Sequence, residues 1–384
     1  MRIRYGELRA PEMTTREKIW QINWSMWLLV SICACVGFAM LYSAAGGSWE
    51  PWAKNQSIKF ALFAVAILVI AVIDIRLIMR YAYLIYGAVF LLLVAVEVKG
   101  VVGGGAERWI YLPGLGSLQP SELMKYALVL ALARYFHVTS LEDVGRISFL
   151  VAPLLMVVAP MALILRQPDL GTAIVLMAGG GVLFFLAGVR LWKFAVVIAG
   201  GLASIPVGWT LLHDYQKRRI LVFLDPESDP LDAGYHITQS KIAMGSGGIG
   251  GRGFLQGSQA HLDFLPEKQT DFIFTMIAEE FGLLGCLGLM GLYLLLIVYG
   301  FGVAVRCRNQ FGRLIAMGAV STFSFYVFIN IAMVMGVIPV VGVPLPLVSY
   351  GGSALLAVML GFGLMMNVYV HRDVRIGRCW SDSA

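Results

Sequence analysis

The sequence predicts an all-α polytopic membrane protein of about ten transmembrane helices, and two observations carry that expectation. Of its 384 residues, 59% are hydrophobic and only 14% charged, against roughly a quarter charged in soluble globular chains. The apolar residues also fall in runs of about 20, the length a helix needs to cross roughly 30 Å of hydrocarbon. Helix is the assignment for such runs, because a lone strand would leave its backbone unpaired in lipid. Residues 1–384 therefore read as a single integral membrane domain.

Segment 1–23 is basic and polar and is expected in the cytoplasm. The first apolar run, Trp24 to Ser43, exceeds the apolar stretch of a secretory signal and follows a long N-terminal segment with several acids, so it reads as a retained span. Further spans are expected near 58–74, 81–97, 121–137, 147–165, 170–189, 192–212, 271–299, 313–337 and 349–370. Arg and Lys gather in alternate connections: the N-terminal segment, then Arg76, Arg80, Arg134, Arg146, Arg190, Lys193, Arg306, Arg308 and Arg313, and the tail 371–384. The other short loops are nearly bare of them, which puts both termini in the cytoplasm. The net charge of +6 follows this distribution and reports membrane orientation rather than nucleic-acid binding. None of the five cysteines falls in an expected external loop and no CxxC pair occurs, so neither a disulfide framework nor a zinc site is implied.

One large extracytoplasmic loop, 213–270, is then expected between spans 7 and 8. It is polar, rich in turn residues and too long for a simple connector, which points to function. The last external connection, "GVIPVVGVPLPLVSYGGS", carries Pro339, Pro344, Pro346, Gly351 and Gly352. It cannot stay helical, and its freed backbone groups need burial in protein or a wet cavity.

Four clusters could carry chemistry, and all four are expected on the outer side. Asp271 stands where the loop enters the eighth span; it is either an N-cap or a carboxylate placed to accept a proton. Glu122 and Lys125 lie one turn apart on the fourth span, either as a mutually satisfied ion pair or as a functional site, the default for charges within a bilayer. Arg108 and Trp109 precede that helix; a Trp there is an interfacial anchor, and a guanidinium matches phosphate oxygens. In the long loop, Lys217, Arg218 and Arg219 precede "ITQSKIAMGSGGIGGRGF" with Lys241, either a flexible turn or a set of amides and cations around an anionic head group. No GxxxxGK[ST], G-x-S-x-G or H-E-x-x-H motif is present, which excludes the corresponding nucleotide and hydrolase chemistries. Carboxylates and cations at the outer leaflet suit a lipid-linked substrate that bears phosphate.

Six stretches in order then resemble one family across nearly the whole chain: "RW" at 108–109, "QPSELMK" at 119–125, "RQPDLGTA" at 166–173, "RRILVFLDPESDPLDAGYHITQSKIAMGSGGIGGRG" at 218–253, "FLPEKQTDFIF" at 264–274 and "LPLVSYGGSALL" at 345–356. They are similar to the SEDS proteins, bacterial membrane glycosyltransferases that polymerise peptidoglycan. "SQAHLDFLPE" and "PVVGVPLPLVSYGGSALL" resemble its rod-shape, elongation branch most closely. Relatives often carry His two positions before the key aspartate, where this chain has Gln269, so no histidine is assigned a role.

The resemblance implies a ten-span enzyme of the bacterial inner membrane acting on lipid II, the undecaprenyl-pyrophosphate-linked disaccharide-pentapeptide. It also implies a class B penicillin-binding protein as transpeptidase partner and membership of the elongation machinery. The family's essential aspartate falls on Asp271 and its paired charges on Glu122 and Lys125. Asp271 is then the general base of an inverting displacement. Arg108, Trp109, Glu122, Lys125, Arg218, Arg219 and Lys241 are the expected substrate-binding residues, and a divalent cation, Mg2+ or Mn2+, could assist the pyrophosphate without a legible protein ligand set. The Pro-broken stretch near 345–353 is expected to open a groove for a polyprenyl tail. Glu279 and Glu280, roughly 12 Å deeper along the helix, are expected to serve structural pairing or a cavity. A lipid II transporter and a non-catalytic scaffold are the rival readings.

Overall fold

The computed structural model describes residues 13–99, 101–103, 106–112, 116–211, 214–225, 233–258 and 267–377. After a short helix α1 (Thr15–Trp20), four long helices follow in pairs across the bundle: α2 (Trp24–Ala44), α3 (Trp52–Val72), α4 (Ile75–Lys99) and, beyond a small sheet, α5 (Pro120–Val138). The chain continues through α6 (Leu141–Val144), α7 (Ile147–Arg166), α8 (Leu170–Leu186), α9 (Leu191–Ala203), α10 (Ile205–Leu211), α11 (Asp214–Leu224) and α12 (Ala233–Gly247). It closes with α13 (Ile273–Arg306), α14 (Gln310–Val334) and α15 (Gly352–Val370). Helices cover most of each expected span, and seven of these helices are long and apolar enough to cross a membrane. The all-α expectation needs one correction. Between the expected third and fourth spans, three segments form an antiparallel sheet, β1 (Val101–Gly103), β2 (Ala106–Leu112) and β3 (Gly116–Leu118), in the order β1-β2-β3. Its strands are too short and glycine-rich to leave an alternating pattern.

Burial sorts the helices into layers. For α14 and α15, 78% of the apolar window is buried, whereas α3, α4 and α7 bury only 17–22%. Helix α5 is buried almost throughout. These three inner helices approach closely through glycines: a Cβ on Gly361 of α15 would lie 2.4 Å from the Tyr126 ring of α5, and one on Gly318 of α14 would lie 2.7 Å from Val129. Small residues at such crossings gain dispersion contacts without any help from water exclusion, as association within lipid requires. Leu62, Val65 and Val69 of α3 are exposed, as a lipid-facing surface demands.

Helix α13 is broken. Gly282 has φ 64° and ψ −158°, a conformation that favours glycine. The helical bonds that Leu283 and Leu284 would make to Glu279 and Glu280 are replaced by an exchange with the glycine-rich run 248–253. The Leu283 and Leu284 amides donate to Gly248 O and Ile249 O at 3.0 and 3.2 Å. In return, the Arg252 and Gly253 amides donate to Glu279 O and Glu280 O, both at 3.0 Å. All four groups freed by the break are therefore paired, as a buried backbone must be. The glycine run is thus packed against the helix break, with its Arg252 and Gly253 amides spent there. Its glycines permit backbone-to-backbone approach: Gly251 sits at φ +79°, and a Cβ there would fall 2.2 Å from Glu280 O.

Glu279 and Glu280 flank the break at 0% and 1% exposure. Ser258 Oγ donates to Glu279 Oε1 at 3.3 Å, and Ser43 Oγ donates to Glu280 Oε1. The expectation of structural pairing fits this setting. Gly251→Ala should lower stability by at least about 2 kcal/mol, from the left-handed conformation and the clash together. Gly250→Ala, with open space around its Cβ, should melt with the parent in a detergent thermal-shift assay.

Candidate active site

Asp271 belongs to a compact turn, 267–272, and not to the helix that follows. The Thr270 amide donates to Glu267 O at 3.1 Å, the Phe272 amide to the same carbonyl at 3.4 Å, and Thr270 Oγ1 to Glu267 Oε2 at 2.8 Å. Glu267 takes φ 54° to close it. Helix α13 starts at Ile273, and its N-cap, Phe272, makes no side-chain cap. The turn thus sets the aspartate one residue before the helix's N-cap.

The main chain around Asp271 is clamped at three successive carbonyls. Gln269 O accepts from the Tyr350 amide at 2.8 Å, Thr270 O from Ser349 Oγ at 2.5 Å, and Asp271 O from Asn330 Nδ2 at 2.9 Å. Asn330 Nδ2 also donates to Val343 O at 2.7 Å, and Ser349 Oγ accepts from the Leu345 amide at 2.8 Å. Two side chains thus tie the aspartate turn to the Pro-rich connection after α14. Beside the half-buried carboxylate lies Gly342, at φ +68°, where a Cβ would come 3.4 Å from Asp271 Oδ2. Gln56 of α3 braces the same connection, donating to Ser349 O at 3.0 Å and accepting from the Gly351 amide at 3.4 Å.

That connection fills space. Leu345, Leu347 and Val348 are 1%, 2% and 0% exposed, and Tyr293 OH donates to Pro346 O at 2.8 Å. Bare glycines admit it: a Cβ on Gly37 would lie 2.7 Å from Leu347 O, and one on Gly171 2.6 Å from Val341 O. The expected groove at 345–353 is therefore absent over 345–348, where the irregular backbone meets its hydrogen-bonding needs inside the protein.

Glu122 and Lys125 close on each other and on Tyr326 of α14. Lys125 Nζ donates to Glu122 Oε1 at 2.7 Å and bonds Tyr326 OH, which donates to Glu122 Oε2. The ammonium also lies 4.1 Å from the Tyr326 ring centroid. Glu122, Lys125 and Tyr326 are 3%, 2% and 1% exposed. Tyr326 stands one helical turn before Asn330, so the triad and the clamp on Asp271 share one face of α14. Tyr326, Asn330, Ser349 and Gln56 went unassigned in the sequence. Polar groups spaced four apart in the apolar run 313–337 were the available signal for the first two.

Arg108, half-buried on β2, donates from Nε to Gln167 O at 2.7 Å and from Nη2 to Pro168 O. Much of its fork is thus spent on the turn before α8. Trp109 pairs across the sheet with Val101. Gln119 caps the layer: its amide donates to Ser353 Oγ, and its Nε2 donates to Asp169 Oδ2, both at 2.9 Å. Arg218 on α11 and Lys241 on α12 are exposed; the side chain of Arg219 lies outside the described residues. Lys241 follows Ser240, which anchors α12 beside the aspartate helix by bonds to Thr275 Oγ1 at 2.8 Å and Val334 O at 2.9 Å.

A cavity of about 340 Å³ opens beside the aspartate turn, lined by Ala44, Ala45, Gly46, Glu50, Pro51, Trp52 and Lys268. On its rim the hydrogen bond and charge of Lys54 hold the Glu50 carboxyl below its ordinary range. No three His, Cys, Asp or Glu side chains converge among the described residues, so no protein ligand set for a divalent cation is assembled there.

The family model described as "Cell cycle protein", for FtsW, RodA and SpoVE, matches residues 23–374. The chain is 45% identical over 354 residues to the peptidoglycan glycosyltransferase MrdB of Escherichia coli K12, covering 90% of this chain and 93% of that one. It is 32% identical to the peptidoglycan glycosyltransferase RodA of Treponema pallidum, over 87% and 94% of the two chains. In structure it is similar to a chain of a peptidoglycan synthase complex that coordinates polymerization and crosslinking, with a TM-score of 0.78, 34% identity and coverage of 91% and 98%. It is also similar to the crystal structure of the rod shape determining protein RodA of Thermus thermophilus, with a TM-score of 0.70, 30% identity and coverage of 92% and 98%. With the clamped aspartate and the layered bundle already in view, these matches settle the family: the chain belongs to the FtsW/RodA/SpoVE cell cycle proteins, the SEDS family that its motifs resemble.

Proposed function

We propose that the chain is a peptidoglycan glycosyltransferase that polymerises lipid II during lateral wall elongation. The observation that carries the reading is the three-carbonyl clamp on residues 269–271, which fixes one carboxylate at the junction of loop and helix. The enzyme is multi-pass in the bacterial cytoplasmic membrane. Its ten spans place both termini in the cytoplasm, with the loop 213–270 and Asp271 facing the periplasm. The MrdB and RodA relatives are peptidoglycan glycosyltransferases by name, and the synthase complex supports a crosslinking partner, a class B penicillin-binding protein.

Polymerisation is a single inverting displacement. The 4-hydroxyl oxygen of one sugar bonds to the anomeric carbon of another. The bond from that carbon to the lipid pyrophosphate breaks, and its electron pair leaves on the phosphate oxygen. Asp271 takes the hydroxyl proton and passes it to water. A clamped backbone suits this role, because a base held in attacking geometry spends no entropy on finding it.

Binding roles divide by exposure. Arg218 and Lys241, on exposed surfaces of α11 and α12, are cations for the lipid-linked phosphates, joined by Arg219. Arg108, with its Nε and Nη2 on the α8 turn, holds the sheet and Trp109 in place. Glu122 and Lys125 act through Tyr326 and α14 as positioning residues for the Asp271 turn. A transporter would need intramembrane charges open to water along a pathway; the mutual closure of Glu122 and Lys125 favours the enzyme. No step is routed through a divalent cation.

The test is polymerisation of lipid II in detergent by the purified protein with its transpeptidase partner, where transport has no meaning. Asp271→Asn should reduce turnover by at least about 10²-fold with folding and partner binding intact; a variant that still polymerises at the parental rate removes the base assignment. Glu122→Gln should destabilise by about 3–5 kcal/mol, because it leaves Lys125 buried without its carboxylate. Glu122→Leu with Lys125→Met should regain most of that stability in the same thermal-shift assay.

A further inference from the structure

Helix α3 carries a charge that nothing described above uses. Lys59 lies in its second turn, inside a helix apolar enough to span the membrane, and is half-buried. No Asp or Glu lies within ion-pair distance of it among the described residues. Its Nζ sits 5.2 Å from the centroid of the Tyr350 ring. The ring's negative face attracts the ammonium but brings no opposite charge. A charged side chain within a spanning helix is costly enough that a partner is expected, and this one has no protein carboxylate.

Its position follows from the face of α3 that it shares. Trp52, Gln56 and Lys59 are spaced 4 and 3 residues apart and so lie on one side of the helix. Trp52 lines the 340 Å³ cavity together with Lys268 of the aspartate turn. Gln56 bonds Ser349 O and the Gly351 amide, and Tyr350 between them donates its amide to Gln269 O. Lys59 reaches over that same connection, and Gly352 leaves room for it: a Cβ there would stand 3.1 Å from Nζ and 3.5 Å from Cε. The main-chain path from Lys59 through Tyr350 to the Asp271 turn is thus a single side-chain contact and a single hydrogen bond.

We infer that Lys59 is a phosphate-binding cation of the Asp271 site, pairing with the phosphate oxygens of the polyprenyl pyrophosphate. The inference rests on the proposed reaction for its substrate class and adds a residue to it. A compact ammonium at the end of a flexible stem suits a phosphate oxygen as a point charge. Burial between Tyr350 and α3 makes the interaction stronger than the same pair in water. Phosphate oxygens could reach Lys59 from the polyprenyl pyrophosphate or from a bulk phospholipid head group, and the experiment separates these two sources.

The full-length protein bearing Asp271→Asn is reconstituted in nanodiscs of phosphatidylcholine and titrated with undecaprenyl pyrophosphate, binding being read by native mass spectrometry. Adding Lys59→Met should weaken binding by about 10- to 100-fold, the loss expected for one charge-assisted hydrogen bond. Lys59→Arg should bind within about 3-fold of the parent, since it keeps the charge. Lys59→Gln replaces the Met variant if that one melts early. Unchanged pyrophosphate affinity in the neutral variants overturns the inference. So does a result in which they lose only phosphatidylglycerol added to the discs, which would make Lys59 a lipid anchor. Because binding is measured without turnover, its outcome is separate from that of the polymerisation assay. A protein that fails to polymerise but loses pyrophosphate with Lys59 refutes the enzyme and keeps this site, and the reverse pattern refutes the site alone.

Discussion

Pairing of the backbone where helices are interrupted is the constraint on which this structure depends. A spanning helix satisfies its own N–H and C=O groups, and any break inside apolar surroundings leaves groups that cost several kcal/mol each if unpaired. The chain breaks regular structure twice near Asp271. At Gly282 the freed groups are exchanged with residues 248–253. After α14 the connection is satisfied by Asn330, Ser349, Gln56 and Tyr293. The stretch Ile273–Phe281 is consequently a short helix of its own, held at its end by loop backbone and at its start by the clamp. Neither end is set by the regular part of α13, so the aspartate turn takes its position from side chains designed around it.

Much of the fold was legible in the sequence, because apolar run length is a direct physical requirement of crossing hydrocarbon. The ends were not. Helix α3 begins at Trp52 where the apolar run begins near 58, since Lys54 and Lys59 depress the local hydropathy without disturbing helical geometry. Arg76 and Arg80 hide the start of α4 in the same way. The expected span 192–212 divides near Ser204 into α9 and α10. Within the site, Asp271, Glu122 and Lys125 were visible as charges in the wrong surroundings for lipid. Their partners Tyr326, Asn330 and Ser349 are neutral and disappear into apolar or Pro-rich runs. The glycines at 248–253 could not be interpreted alone, because their purpose is defined by a break some thirty residues later at Gly282, itself unremarkable within an apolar stretch.

Charge placement follows from the cost of desolvation. Glu122 and Lys125 are buried together because neither could be buried alone, and Tyr326 completes their hydrogen bonds. Such a pair adds little net stability compared with a well-packed apolar substitute, yet it admits few alternative arrangements. It fixes α5 against α14 at the turn of α14 that precedes Asn330. Under the proposed mechanism, precision at the carboxylate is traceable to this buried triad. Arg108 extends the same logic to the sheet, where its guanidinium joins β2 to the start of α8.

Rigidity is distributed unevenly, and the division matches the chemistry proposed. Helices α5, α14 and α15 form the buried interior that sets Asp271, whereas α9 buries none of its residues and presents Leu191, Trp192, Val196 and Val197 outward. Helix α11, with Arg218, follows α9 and α10 in sequence; α12, with Lys241, is tied to the interior through Ser240. A polymerase must keep its base fixed while two large lipid-linked substrates enter and a long product leaves. Under the proposed roles, fixing the base through packed helices and placing a cation such as Arg218 on a less buried one meets both demands, because a weakly packed element can shift at small free-energy cost without disturbing the core. In the proposed chemistry the proton acceptor then belongs to the fixed interior and Arg218 to a less buried element, a division that suits repeated addition to a growing strand.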